Sequence, residues 1–135
     1  MKFVVLFCVV LLLATVVSSK KHHKNNNEVT PKKAFKECQK NATTRIDKQA
    51  VKKYKKKEVD SMPQNYGEHL LCIYKATGYI GEDGVVNQDV LKKKITKKAQ
   101  PSQNVDTLLQ ECGAAKADPK QTAINLDSCL TKNNL

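Results

Sequence analysis

The chain has 135 residues, 40% of them hydrophobic and 27% charged, and a formal charge of +11 from 24 basic against 13 acidic side chains. Nearly all of the positive charge is lysine, with Arg45 the only arginine and aromatics only 5% of the chain. It therefore lacks the guanidinium forks and interleaved rings that grip nucleic acid, and no nucleic-acid partner is expected. One small domain with a soluble, basic surface fits these bounds, since no repeat, glycine-serine linker or second composition zone divides the chain.

Residues 1–19 read as a signal peptide. Lys2 supplies a positive start, Phe3 to Leu13 is an unbroken apolar run, and Val17 and Ser19 suit the −3 and −1 sites of cleavage after Ser19. The run is too short for a membrane span, so a secreted, extracellular protein is expected. Cys8 leaves with the leader, and Cys38, Cys72, Cys112 and Cys129 remain. An even set in an oxidising compartment predicts two disulfides in one of three connectivities. Each stabilises the fold by roughly 3–4 kcal/mol in the chain-entropy model, assisting a core rather than replacing one.

Residues 20–29 are expected to be a flexible basic arm, since they are polar and low in complexity. Cleavage after Ser19 makes His22 the third residue of the mature chain, where amine, amides and imidazole suit a square-planar copper or nickel ion. Histidines in polar tails are common, so no metal or other cofactor is assigned on this ground.

Thr30-Pro31 opens a first helix as N-cap and N1, with Ala34, Phe35, Cys38 and Ala42 at helical spacing. Asp47 caps a second, in which Val51 and Tyr54 face inward among lysines. Pro63 precedes a third around Leu70 to Ala76, where Leu70, Leu71, Ile73 and Tyr74 form the inner face around a buried Cys72. Glycines 78, 81 and 84 punctuate a turn, and a fourth helix runs from about Asn87 to Lys98 on a stripe of Val90, Leu91 and Ile95. Pro101-Ser102 opens a fifth, carrying Val105, Leu108, Leu109 and Cys112 and ending near Gly113. Asp118-Pro119 opens a sixth, with Ala123, Leu126, Cys129 and Leu130 on one side. No segment alternates with period two for the length of a strand. The expected fold is all-α, a compact bundle of about six helices.

The cysteine spacing, the Leu-Leu-Cys-Ile-Tyr-Lys core at 70–75 with its Gly-Glu-Asp-Gly-Val turn, and Asp118-Pro119 followed by Cys129-Leu130 resemble the insect odorant-binding family of pheromone and general odorant carriers. The resemblance covers roughly residues 31–130, so 30–135 is expected to be an odorant-binding-protein-like helical domain. The usual family pattern has six cysteines. Here Glu68 and Lys120 occupy the two positions of one disulfide, a paired loss that matches the subgroup with four mature cysteines. Carrying over the family pairing implies Cys38–Cys72 and Cys112–Cys129.

The resemblance further implies a bundle that encloses an apolar cavity for a small hydrophobic ligand. The wall candidates are Val51, Tyr54, Ile73, Tyr74, Val90, Leu91, Leu108, Leu109, Ile124 and Leu126, which would serve equally well in a solid core. Loss of the third disulfide is expected to loosen the third and sixth helices and let the cavity adapt to several ligands. A membrane odorant receptor is the implied downstream partner, and a monomer or weak dimer the implied assembly.

Other features point to no reaction. The four cysteines are claimed by disulfides, and no HExxH or GxSxG occurs. Glu82-Asp83 sits in a turn, and the Gly81-to-Gly84 run lacks the ligand pattern of an EF-hand. The chain is therefore not expected to be an enzyme. The lysine runs at 52–57, 92–94 and 97–98 read as solvated helix faces. An alternative function, a secreted basic interaction protein of saliva, venom or haemolymph, would use them to dock anionic surfaces. His69 is expected to be an exposed side chain on the polar face. The Asn41-Ala-Thr43 sequon is expected to stay unmodified, because a continued first helix would place Asn41 on nearly the face of Cys38.

Overall fold

The computed structural model describes residues 29–135. The expected leader and nearly all of the basic arm, with His22, lie outside the described residues. Within them the chain forms six helices and no strand: α1 (Pro31–Cys38), α2 (Lys48–Lys55), α3 (Tyr66–Ala76), α4 (Gln88–Lys98), α5 (Val105–Cys112) and α6 (Pro119–Lys132). One antiparallel bridge, Ile80 to Val86, closes the glycine-rich turn between α3 and α4.

Most helix starts follow side-chain caps. Thr30, Asp47, Asn87, Asn104 and Asp118 each accept a hydrogen bond from a backbone N–H of the first turn. Such caps satisfy donors that have no partner inside the helix. Three boundaries differ from those expected. The first helix ends at Cys38 rather than running through Ala42, because the residues beyond it bond locally. Asn41 accepts from the N–H and hydroxyl of Thr43 at 3.0 and 2.9 Å, and the Thr44 hydroxyl donates to the Cys38 carbonyl. These bonds give the backbone an alternative to helix. Asn41 is accordingly exposed on a turn, and the steric objection to its modification falls away.

The third helix starts at Tyr66, four residues before the first residue of the expected span. Its N-cap Asn65 has φ +59° and no capping bond; its side chain reaches the carbonyls of Ala42 and Arg45 instead. A start without a local signature is invisible to a search for caps. The fifth helix begins at Val105 rather than Pro101, because Gln100 and Gln103 bond to each other across a turn and Asn104 provides the cap.

The core joins Tyr66 and Leu70 of α3 to Leu91 and Ile95 of α4, Leu108 and Cys112 of α5, and Ala123, Leu126 and Leu130 of α6, with Ile80 and Val86 beneath the turn. Burial of each large aliphatic among them contributes about 1.5–3 kcal/mol. The most extensive helix pair is α3 with α6. Gly67 permits the approach, since a Cβ there would stand 3.3 Å from both Ile124 and Lys120. Gly84, with φ +81°, likewise packs its bare Cα on Pro119 at the start of α6.

Two disulfides pair Cys38 with Cys72 and Cys112 with Cys129, tying α1 to α3 and α5 to α6. Cys72 itself is half-buried at the edge of the core, while its partner Cys38 is buried. The lysines at 52–57 are exposed, as are those at 92, 93, 97 and 98; only Lys94 is half-buried. At the two positions where a third bond would join α3 to α6, Lys120 Nζ lies 3.3 Å from Glu68 Oε1. Both side chains are at least 40% exposed, so this ion pair contributes only about 0–1 kcal/mol. It holds the same two helices far more weakly than a covalent link would.

Replacing Glu68 and Lys120 together with cysteine is therefore expected to form a third disulfide on oxidation. The gain in stability is up to about 4 kcal/mol from loop closure, read as a rise in Tm over the reduced form of the same variant. Two thiols that remain free in the folded protein would contradict the juxtaposition.

Candidate functional site

A cavity of about 320 Å³ opens between α1, α2, α3 and α6. Its apolar wall is Phe35 from α1, Ile46 from the following turn, Val51 from α2, Leu70 and Ile73 from α3, and Leu130 with Leu135 at the end of the chain. On α3 the lining residues Tyr66, Leu70, Ile73, Tyr74 and Thr77 recur at helical spacing, so one stripe of one helix supplies much of the wall. On α6 Asp127, Leu130 and Thr131 stand at i, i+3 and i+4, which sets a carboxylate into the same face as a core leucine.

That carboxylate organises the polar part of the wall. Asp127 accepts from the Tyr66 hydroxyl at 2.9 Å and the Tyr74 hydroxyl at 3.2 Å, and Lys55 Nζ lies 3.1 Å away. Burial raises the pKa of both phenols well above the usual range, and the negative charge of Asp127 adds to the effect. Both therefore stay protonated as donors. The Tyr66 ring meets Tyr54 edge-on at 5.6 Å, and Tyr74 meets Tyr79 at 5.9 Å. Two further tyrosines, Tyr54 and Tyr79, thus pack edge-on against the two donors.

His69, expected on the exposed face, is 1% exposed. It stands one turn from Tyr66 and shares the buried side of α3, which the late expected start of that helix concealed. Its Nδ1 lies 2.6 Å from the Thr44 carbonyl, which can only accept, so the neutral ring carries its proton on Nδ1. Nε2 is buried without a partner, and Phe35 packs edge-on at 4.9 Å. Burial lowers the pKa of this ring below its ordinary value, against the opposing pull of the Thr44 carbonyl.

Of the ten wall candidates, Val51, Ile73 and Tyr74 line this cavity. Tyr54 lines an adjoining surface depression that shares Lys55, Tyr66, Asp127 and Thr131 with it. Ile124 lies in a small groove beside Glu68 and Lys120. Leu91, Leu108 and Leu126 are closed into the core, and Leu109 packs against it half-buried. Val90 is half-buried outside the lining. The apolar stripes of α4 and α5 are spent on each other and, for α5, on α6, so that most of the cavity wall comes from α1, α2, α3 and α6, with Lys94 of α4 at its edge. Phe35, Ile46, Lys55, Tyr66, His69, Lys94 and Asp127 were not among the candidates, although all line the cavity. The sequence signal for it lay in Val51 of α2 and in the α3 stripe that carries Ile73 and Tyr74.

Among the described residues no group of histidines, cysteines and carboxylates is placed to hold a metal ion, and no helix is long and apolar enough to cross a membrane.

A model of the PBP/GOBP family matches residues 20–133. Two beetle proteins of Tenebrio molitor are similar over part of their length. The B2 protein is 26% identical over 83 residues, covering 62% of this chain and 64% of that protein. The B1 protein is 24% identical over 88 residues, covering 65% and 67%. The chain thus spans about two thirds of the length of each. No solved structure matches it significantly.

The burial of neutral His69 has a measurable consequence. An unfolded chain takes up the histidine proton near the ordinary pKa of 6.5, whereas the folded chain resists it. Stability from this residue is thus fully present above that pH and declines below it, until the folded state is itself protonated. Between about pH 7 and pH 5 the Tm of the wild type is expected to fall more steeply than that of His69→Gln. Parallel slopes in calorimetry would remove His69 as the cause.

Proposed function

The chain belongs to the PBP/GOBP family, the pheromone- and general-odorant-binding proteins, and from that membership and the cavity we propose a secreted carrier that reversibly binds one small hydrophobic molecule. Odorants, pheromones and fatty acids are the ligand classes of the right size and polarity. The observation that carries this reading is the 320 Å³ space between α1, α2, α3 and α6, apolar over most of its wall. Binding draws its free energy from removing alkyl surface from water, about 25 cal/mol per Å². The Asp127 cluster supplies orientation rather than bulk affinity.

No covalent step is invoked. The four cysteines of the domain are held in disulfides, and the phenols are donors to a carboxylate rather than nucleophiles. Release is by opening of helices around the cavity. The apolar leader at Phe3 to Leu13 and the two disulfides support export to an oxidising compartment, with ligand delivery outside the cell.

The neutral probe N-phenyl-1-naphthylamine is expected to brighten on binding and to be displaced by long-chain alcohols or terpenoids, with little dependence on salt. Ile73→Trp, which fills the cavity from a half-buried position outside the main core cluster, should weaken probe uptake by about tenfold or more while the helical circular dichroism is kept. Absence of uptake by the wild type, together with partner binding that falls steeply with ionic strength, would favour a surface-docking protein instead.

A further inference from the structure

Among the charged groups that line the cavity, one lacks an opposite charge. Lys55 and Asp127 neutralise each other at 3.1 Å, and burial favours neutral His69. Lys94 remains. No carboxylate among the described residues pairs with it. Its neighbours Lys92, Lys93, Lys97 and Lys98 are exposed, whereas Lys94 is half-buried and lines the cavity. The reason is its register on α4. Lys94 follows Val90 by one turn and precedes buried Ile95, so it stands at the edge of the apolar stripe rather than on the solvent face. A lysine so placed lays its apolar stem along the wall and carries an ammonium at the end of it.

We propose that Lys94 is an anion anchor and that the preferred ligand class is the long-chain carboxylate. This rests on the carrier function proposed above and narrows it. A half-buried lysine without a carboxylate partner at the edge of an apolar space favours an amphiphile with an anionic head and an alkyl tail, because the head supplies the missing countercharge while the tail fills the cavity. An alcohol or ester of the same chain buries the same tail and leaves the ammonium without a countercharge. The overall charge of +11 acts in the same direction at long range, raising the local concentration of anions.

The test displaces N-phenyl-1-naphthylamine from the full-length protein, as secreted, with dodecanoate, dodecanol and methyl dodecanoate at neutral pH. Dodecanoate should bind roughly tenfold more tightly than its ester, the scale of one charged hydrogen bond. Lys94→Met keeps the stem and removes the charge, and should bring the carboxylate and its ester within about twofold of each other. Lys93→Met makes the same change in net charge on the exposed face and should keep the preference, as should Lys94→Arg. Equal affinities for carboxylate and ester in the wild type, or a preference that survives Lys94→Met, would overturn the assignment while leaving a carrier intact. A wild type that takes up no probe and none of the three ligands would overturn both.

Discussion

The packing of α3 against α6 is the constraint from which the cavity follows. The two helices approach closely at Gly67, meet through Leu70, Ala123, Leu126 and Leu130, and are joined again by the hydroxyls of Tyr66 and Tyr74 on Asp127. Lys55 brings α2 to the same carboxylate, and Cys38–Cys72 brings α1 to α3. Three further helices are thereby positioned around one. Tyr66 and Leu70 belong both to the core and to the cavity wall, and the α3 stripe continues along the cavity through Ile73, Tyr74 and Thr77. A change that separated α3 from α6 would therefore alter packing and ligand space together.

With two disulfides where relatives of the common pattern have three, α3 and α6 rely on apolar packing, an ion pair and the Asp127 cluster. The exposed Glu68–Lys120 pair is screened by water and salt, so it adds direction more than strength. The Asp127 cluster is different in kind. Its donors are phenols that burial keeps protonated, and its carboxylate is mostly sheltered, with 17% of the side chain exposed. An acceptor that satisfies two buried hydroxyls is costly to remove, because each hydroxyl would lose a bond that solvent does not readily replace. These two helices form the most extensive pair in the fold, so apolar packing carries most of their contact.

The polar groups of the cavity also divide the basic charge of the chain into two kinds. Most lysines of α2 and α4 stand in solvent, where they attract anions at long range without lining the cavity. Lys55 and Lys94 line it. One is answered by Asp127 and one is not, a distinction that arises from helix register and not from composition.

The all-α class, the number of helices, most of their caps and the identity of the buried stripes were legible in the sequence, because capping and amphipathic periodicity act within a few residues of one another. Asp47, Asn87 and Asp118 initiate helices where their local chemistry requires it. The resemblance of the cysteine pattern also led to the right disulfide pairing. Tertiary structure decided the rest. Asn65 begins α3 without a cap because its side chain is taken by the carbonyls of Ala42 and Arg45, twenty or more residues away. His69 is buried because α1 and the turn at Thr44 cover it. Leu91, Leu108 and Leu126 follow the same apolar period as Ile73 but lie in the core, since periodicity states which face turns inward and not what that face meets. For the same reason Asp127 and Lys94 read as polar interruptions along the chain. Only the assembly of the helices around one space makes them part of its wall.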